Sequence, residues 1–292
     1  MFWLKKNNLK ILGVVMLILI GIILRFTIGT LGYNFDFDSY NIVAKLVLAG
    51  QNVYAETYRY NYAPFWFYFL GLARWISLYF SNPEPVFRGL IVSLVTTAEL
   101  SIAYVVYKRV GLVPALILFL NPLSIYTTGF HNQFDVLGIA IAIGSMILYE
   151  KENENDHIKS YILLGLSLFA KHIFIFMPFF LLSRTKTWKD RILLFIIPYG
   201  IFFISFLPYV NGGGWQGILK NVFMYQSLYR MPLAPLVFVM TFSLLGYFLK
   251  KYNVVNFAFL YPLVLFIVGL NASQQQYIYP LFGLIILQSI PQ

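Results

Sequence analysis

A run of about 20 apolar residues, positions 11–31, begins directly after Lys5, Lys6 and Lys10. That is the length needed to cross the hydrocarbon of a bilayer. The run is long for a signal peptide, and no small-x-small cleavage pattern follows it. It therefore reads as an uncleaved helix with its N-terminus in the cytoplasm. Comparable runs recur to the end of the chain, and that repetition restricts the fold to an all-α polytopic membrane protein.

Composition agrees. Apolar residues make up 60% of the 292 and charged residues 11%, with a mean hydropathy of +0.74. A soluble domain carries about 45–50% and about 25%, so a soluble enzyme is disfavoured and disorder is excluded. The chain has no cysteine, which rules out disulfide scaffolds and thiolate metal sites. The net charge of +10 points to topology rather than to nucleic acid.

Lys108-Arg109, residues 150–159, residues 184–191 and Lys250-Lys251 hold most of the remaining cations. The positive-inside rule asks for all of them in the cytoplasm. They fit if residues 64–80 lie in the interface and 86–107 return the chain inward. The onward path is 110–128 out, 136–149 in, a hairpin over 161–182 with Lys171 and His172 near its tip, and 191–210 out. Then 235–249 runs in, 254–270 out and 277–290 in, for about eight to ten membrane helices. The whole of 1–292 forms one integral membrane domain, with 32–85 as a first outer loop bearing interfacial helices. One of these is expected near residues 39–50, where Ile42, Val43, Leu46 and Val47 share a helical face and Gly50 supplies a stop.

This topology puts Glu150, Glu152, Glu154, Asp156 and Asp190 in cytoplasmic loops and leaves Asp36, Asp38, Glu56, Glu84 and Asp135 at the outer face, with Glu99 mid-span. In extended chain, Asp36 and Asp38 project to one side and Phe35 and Phe37 to the other. Paired carboxylates can split base and positioning roles or bind a cation. Alternatively, Asp38 or Ser39 caps the surface helix. His131, Asn132, Gln133 and Asp135 form a second polar cluster, either a capping loop or substrate contacts; a His/Asp metal site is the minor alternative. Lys171-His172 interrupts an apolar run, where a cation must snorkel or meet an anion such as phosphate. Arg230 is a second phosphate candidate. Gly212, Gly214 and Gly217 match a dinucleotide-binding spacing but follow a membrane run rather than a strand. Asn271-Ala-Ser273 is a weak glycosylation sequon.

Asp36-x-Asp38-x-Tyr40, Gly50-Gln-Asn-Val-Tyr54, Thr57-Tyr-Arg-Tyr60 and Tyr62-Ala-Pro64 together resemble the first outer loop of the GPI mannosyltransferase I family. Asn121-Pro122 with Asn132-x-x-Asp135, and then Gly165 to Pro178 around Ala170-Lys171, resemble its later motifs. Order and spacing agree over roughly half the chain, with Asn61 and Tyr62 as an insertion before Ala63-Pro64. The resemblance implies a GT-C type fold and transfer of a hexose, mannose before glucose, from a polyprenyl-phosphate carrier. The acceptor implied is a hydroxyl of a glycolipid or lipid-linked glycan on the extracytoplasmic face, and the transfer inverts the anomeric centre. Asp36 or Asp38 is then the base. Lys171, His172 and Arg230 hold the donor phosphate. Tyr58, Arg59, Tyr60, His131, Gln133 and Asp135 contact substrate. No cofactor is required, though a divalent cation at Asp36/Asp38 is compatible. Partners are the lipid-linked donor, the acceptor, membrane lipid and optionally a small subunit, with no nucleic acid. The rival readings are a transporter or flippase for a lipid-linked sugar, and a non-catalytic subunit of a glycan assembly complex.

Overall fold

Leu123 cannot continue the helix that precedes it. Pro122 carries no N–H, and the Leu123 amide is taken by the Asn121 side chain at 2.8 Å. The expected 110–128 span is therefore two helices bent by 46°. A computed structural model describes residues 2–151, 153–224 and 234–269 of the chain. Arg230, the 271–273 sequon and the 277–290 run lie outside them.

The described residues form α1 (Phe2–Gly29), α2 (Phe35–Leu48), α3 (Val53–Glu56), α4 (Phe65–Ser77), α5 (Pro83–Arg109), α6 (Leu112–Phe119) and α7 (Pro122–Gly129). Next come α8 (Asp135–Tyr149), α9 (Glu154–Ala170), α10 (Met177–Leu181), α11 (Trp188–Ile204), α12 (Gly214–Ile218), α13 (Ala234–Phe248) and α14 (Val254–Gly269). Short 3-10 turns at His172–Phe174 and Leu182–Arg184 flank α10. No strand occurs among the described residues. Among the described residues three helical stretches are long and apolar enough to cross a membrane: Ile11–Gly29, Pro83–Arg109 and Trp188–Tyr209. A fourth follows if the bent pair α6–α7 counts as one, and α8, α13 and α14 are apolar but shorter. Among the described residues, breaks and short helices take the place of full-length spans at α6–α7, α8, α13 and α14.

The helices define two ends. At one, Arg109 pairs with Glu150 at 2.6 Å, Glu150 accepts from the Val255 amide, Lys189 meets Glu154, and Arg184 donates to the Leu249 carbonyl. The basic loops therefore share one end, as the charge pattern requires. The residue 161–182 hairpin is also observed. Helix α9 climbs from Glu154 to Ala170, and the chain returns through α10 so that Asp190 accepts a 2.6 Å bond from the Tyr161 hydroxyl. Asp135 lies a full α8 length away, roughly 22 Å at 1.5 Å per residue. Around that opposite end, α2 packs on α4, and α12 on α3. The Tyr54 carbonyl occupies the space a Gly217 Cβ would need. This glycine serves helix packing, in keeping with the rejection of the dinucleotide pattern.

A buried ion pair ties α1 to α5, α6 and α7. Arg25 and Glu99 are 0% and 1% exposed and 2.7 Å apart. The Arg25 guanidinium also donates to the Gly21 carbonyl at 2.8 Å, to Ser124 and Thr128 at 3.0 Å, and to the Phe119 carbonyl at 2.7 Å. The last acceptor is one that the α6–α7 break sets free. Ser124 donates to the other Glu99 oxygen.

Candidate functional site

Asn34 starts α2. Its side-chain oxygen accepts from the Phe37 amide at 3.0 Å, and its amide nitrogen donates to the Phe130 carbonyl at 2.5 Å. Residues 35–40 are consequently helical, which corrects the extended reading. At two residues' separation Asp36 and Asp38 lie about 200° apart around the axis. They face apart and form no chelate for a cation. Neither Asp38 nor Ser39 is the cap; the Ser39 hydroxyl donates back to the Phe35 carbonyl at 2.7 Å. Asp38 is exposed. Asp36 is partly buried, accepts from Gln133 Nε2 at 2.7 Å and stands 3.6 Å from His131 Nδ1.

The loop between α7 and α8 that supplies Gln133 and His131 is held rigidly. Asn132 is buried with φ at +58°, a conformation that asparagine tolerates better than most residues. Its amide donates to the Gly129 carbonyl at 2.8 Å. Its oxygen accepts from Arg88 Nε at 3.1 Å, while Arg88 also donates to the carbonyls of Phe130 and Gly32. One arginine on α5 thereby binds the loop after α1 to the loop after α7. That brings Asp36 to His131 and Gln133.

The same loop ends on Phe134 and Asp135. Asp135 opens α8, where the helix dipole favours a carboxylate. Lys171 stands in extended backbone just past α9 (φ −155°, ψ 123°), with Gly138 of α8 directly beneath it. A Cβ on Gly138 would meet Lys171 Cβ and its carbonyl oxygen at 3.2 Å. Lys171 Nζ lies 2.6 Å from Asp135 Oδ2, with 7% and 6% of the two side chains exposed. The two atoms touch without a directed hydrogen bond. The ammonium also sits 4.7 Å from the Tyr62 ring centre and 4.6 Å from that of Phe134. Phe134 is itself stacked on Trp66, with centroids 3.9 Å apart.

Tyr40 joins the two halves. It is buried, and its hydroxyl has no hydrogen-bond partner. Burial pushes that hydroxyl well above the ordinary tyrosine range, and Tyr62, Asp36 and Asp135 push it further. It is thus a buried proton donor without an acceptor, close enough to Asp36 and Asp135 to feel their charge but bonded to neither. His131 Nε2 and His172 Nδ1 are likewise buried and unpartnered. An unsatisfied buried polar group costs about 1–3 kcal/mol, so the Tyr40 hydroxyl and His131 Nε2 are atoms that a polar ligand would satisfy.

Of the residues the sequence singled out, Asp36, His131, Gln133, Asp135 and Lys171 come together. His172 turns against the Phe202 ring, centroids 5.8 Å apart. Arg59 covers the Phe35 ring at 4.3 Å, beside the start of α2, and Tyr58 is exposed. Tyr60 cannot stack on a sugar: it is 1% exposed, and its hydroxyl donates to the Ala63 carbonyl at 2.6 Å and accepts from the Phe67 amide at 3.1 Å. Sequence reasoning missed Asn34, Arg88 and the special position of Tyr40. An Asn before the helical pattern was the available signal for the first. Among the described residues no three His, Asp or Glu side chains could hold a metal ion. Comparison with family models, curated proteins and solved structures gave no match.

Proposed function

We propose that this chain is a GT-C type membrane glycosyltransferase. In this reading it moves a hexose, mannose before glucose, from a polyprenyl-phosphate carrier to a hydroxyl of a glycolipid or lipid-linked glycan at the extracytoplasmic face. The observation that carries the reading is the Lys171–Asp135 pair beside the Asp36–Gln133–His131 cluster, with the unsatisfied Tyr40 hydroxyl near both carboxylates. The collection of the basic loops at the opposite end supports the orientation.

The acceptor oxygen attacks the anomeric carbon from the side opposite the phosphate, which inverts that centre. The carbon–oxygen bond to phosphate breaks, its electron pair leaves with the phosphate, and the acceptor proton passes to Asp36. Gln133 and His131 orient the Asp36 carboxylate. Lys171 and the Tyr40 hydroxyl stabilise the charge growing on the phosphate, and an ammonium needs no divalent ion to do so. Asp135 holds Lys171 in place before the donor arrives. Asp38, on the other side of α2, has no part in the chemistry.

The test is transfer from polyprenyl-phosphate-mannose by purified chain in detergent. Asp36→Asn should lower turnover about 10²–10⁴-fold, the usual worth of a general base. Lys171→Met should lower it about 10²–10³-fold, the scale of one lost donor to a developing oxyanion. Full activity in Asp36→Asn removes the base. Movement of the lipid-linked sugar across a bilayer without a new glycosidic bond replaces the enzyme by a transporter.

A further inference from the structure

At the end opposite the candidate site, two segments far apart in sequence share one surface. The turn after α10 is bonded to the C-terminal end of α13: Ser183 Oγ donates to the Gly246 carbonyl at 2.6 Å and Arg184 to the Leu249 carbonyl at 2.5 Å. That junction brings Lys186, two residues past Arg184, towards Lys250 and Lys251, which follow Leu249; Arg191 lies in the first turn of α11 with its guanidinium 5.1 Å from the Trp188 ring centre. Among the described residues, no carboxylate pairs with any of these four. The nearby acids are committed elsewhere: Glu150 to Arg109, Glu154 to Lys189, and Asp190 to the Tyr161 hydroxyl. Like charges held together in this way attract a counter-anion.

The surroundings indicate which anion. Trp188, Tyr247 and Phe248 flank the four cations and are 75%, 70% and 75% exposed. Large rings so exposed beside lysines are unfavourable in water but suited to the headgroup layer of a bilayer, where aromatic anchors and cations occur together. We infer that Lys186, Arg191, Lys250 and Lys251 form a binding surface for anionic phospholipid headgroups, with Trp188 and the Tyr247–Phe248 pair inserted among the acyl chains at its border. The recognised chemistry is a lipid phosphodiester, the source that the exposed rings favour over free phosphate. The surface is independent of the sugar-transfer reading.

The experiment measures affinity for phosphatidylglycerol and for phosphatidylcholine, each titrated into detergent-solubilised full-length chain and followed by native mass spectrometry and thermal shift. The wild type should retain and be stabilised by phosphatidylglycerol, the effect falling with salt, while phosphatidylcholine and inorganic phosphate do little. Lys250→Gln with Lys251→Gln should weaken phosphatidylglycerol binding about fivefold per cation removed. The quadruple variant with Lys186→Gln and Arg191→Gln should weaken it further. Lys108→Gln with Lys151→Gln, on other basic loops, should leave it largely intact. Should the quadruple variant fail to fold, the Lys250/Lys251 variant decides alone. Equal binding by that variant and the wild type overturns the proposal. Stabilisation by phosphatidylcholine or free phosphate equal to that by phosphatidylglycerol does so as well.

Discussion

Among the described residues two ion pairs are buried, and they are built on opposite principles. Around Arg25 and Glu99 every nitrogen of the guanidinium has an acceptor, one of them a carbonyl that a proline break releases. Around Lys171 and Asp135 the charges touch but lack a directed bond, two aromatic faces complete the shell, and an unpartnered tyrosine hydroxyl stands nearby. A network in which every nitrogen is already engaged offers little to a ligand and serves as a clamp between helices. The second, with fewer polar partners and an unpartnered hydroxyl beside it, has room for a further polar group. Burial and charge alone do not separate the two cases; the accounting of donors and acceptors does.

That contrast can be broken by substitution. The largest effect is expected from Glu99→Leu, which strands a buried guanidinium and should cost about 3–5 kcal/mol, read as a loss of folded protein or a large fall in thermal midpoint in detergent. Adding Arg25→Leu should recover most of that stability, because removing both charges ends the mismatch. At the other pair, Lys171→Met with Asp135→Asn should leave the thermal midpoint close to wild type and abolish at least about 99% of transfer, the 10²-fold or more tied to an oxyanion donor. A collapse of stability equal to that of Glu99→Leu would make the second pair a clamp as well.

Smaller changes sharpen the same division. Tyr40→Phe removes a hydroxyl that the fold does not satisfy, so stability should hold or rise while transfer falls about tenfold, the worth of one hydrogen bond to a charged group. A fall in thermal midpoint without loss of turnover would show that the hydroxyl serves the fold. Asp38→Asn should be nearly silent, within about 0.5 kcal/mol in stability, as for most exposed positions, and within experimental scatter in transfer. Equal losses in Asp36→Asn and Asp38→Asn would restore the paired-carboxylate reading.

The sequence made the large-scale arrangement legible because charge segregation acts over whole loops. The 161–182 hairpin and the gathering of the basic loops followed from counting lysines and arginines. Local geometry was less accessible. Asp36 and Asp38 alternate with aromatic residues, a pattern that suits a strand as well as the first turn of a helix; Asn34 decides for the helix through its bonds to Phe37 and Phe130. The α6–α7 break was written in Asn121-Pro122 but hidden by the apolar run around it. Arg25 carries meaning only with Glu99, 74 residues away, and no local pattern announces such a partner. At the site, residue types were readable, whereas the coupling of Asp36 to Gln133 depends on Arg88 clamping two loops together.

One absent methyl on α8 has a further consequence. Because a side chain at position 138 would crowd the Lys171 Cβ and carbonyl at 3.2 Å, bare backbone at that point lets Lys171 seat closely on α8. Exchanging that glycine for alanine, an ordinary way to firm up a helix, would press Lys171 back by a few tenths of an ångström. The chain has thus given up some rigidity in α8 to seat Lys171 against it.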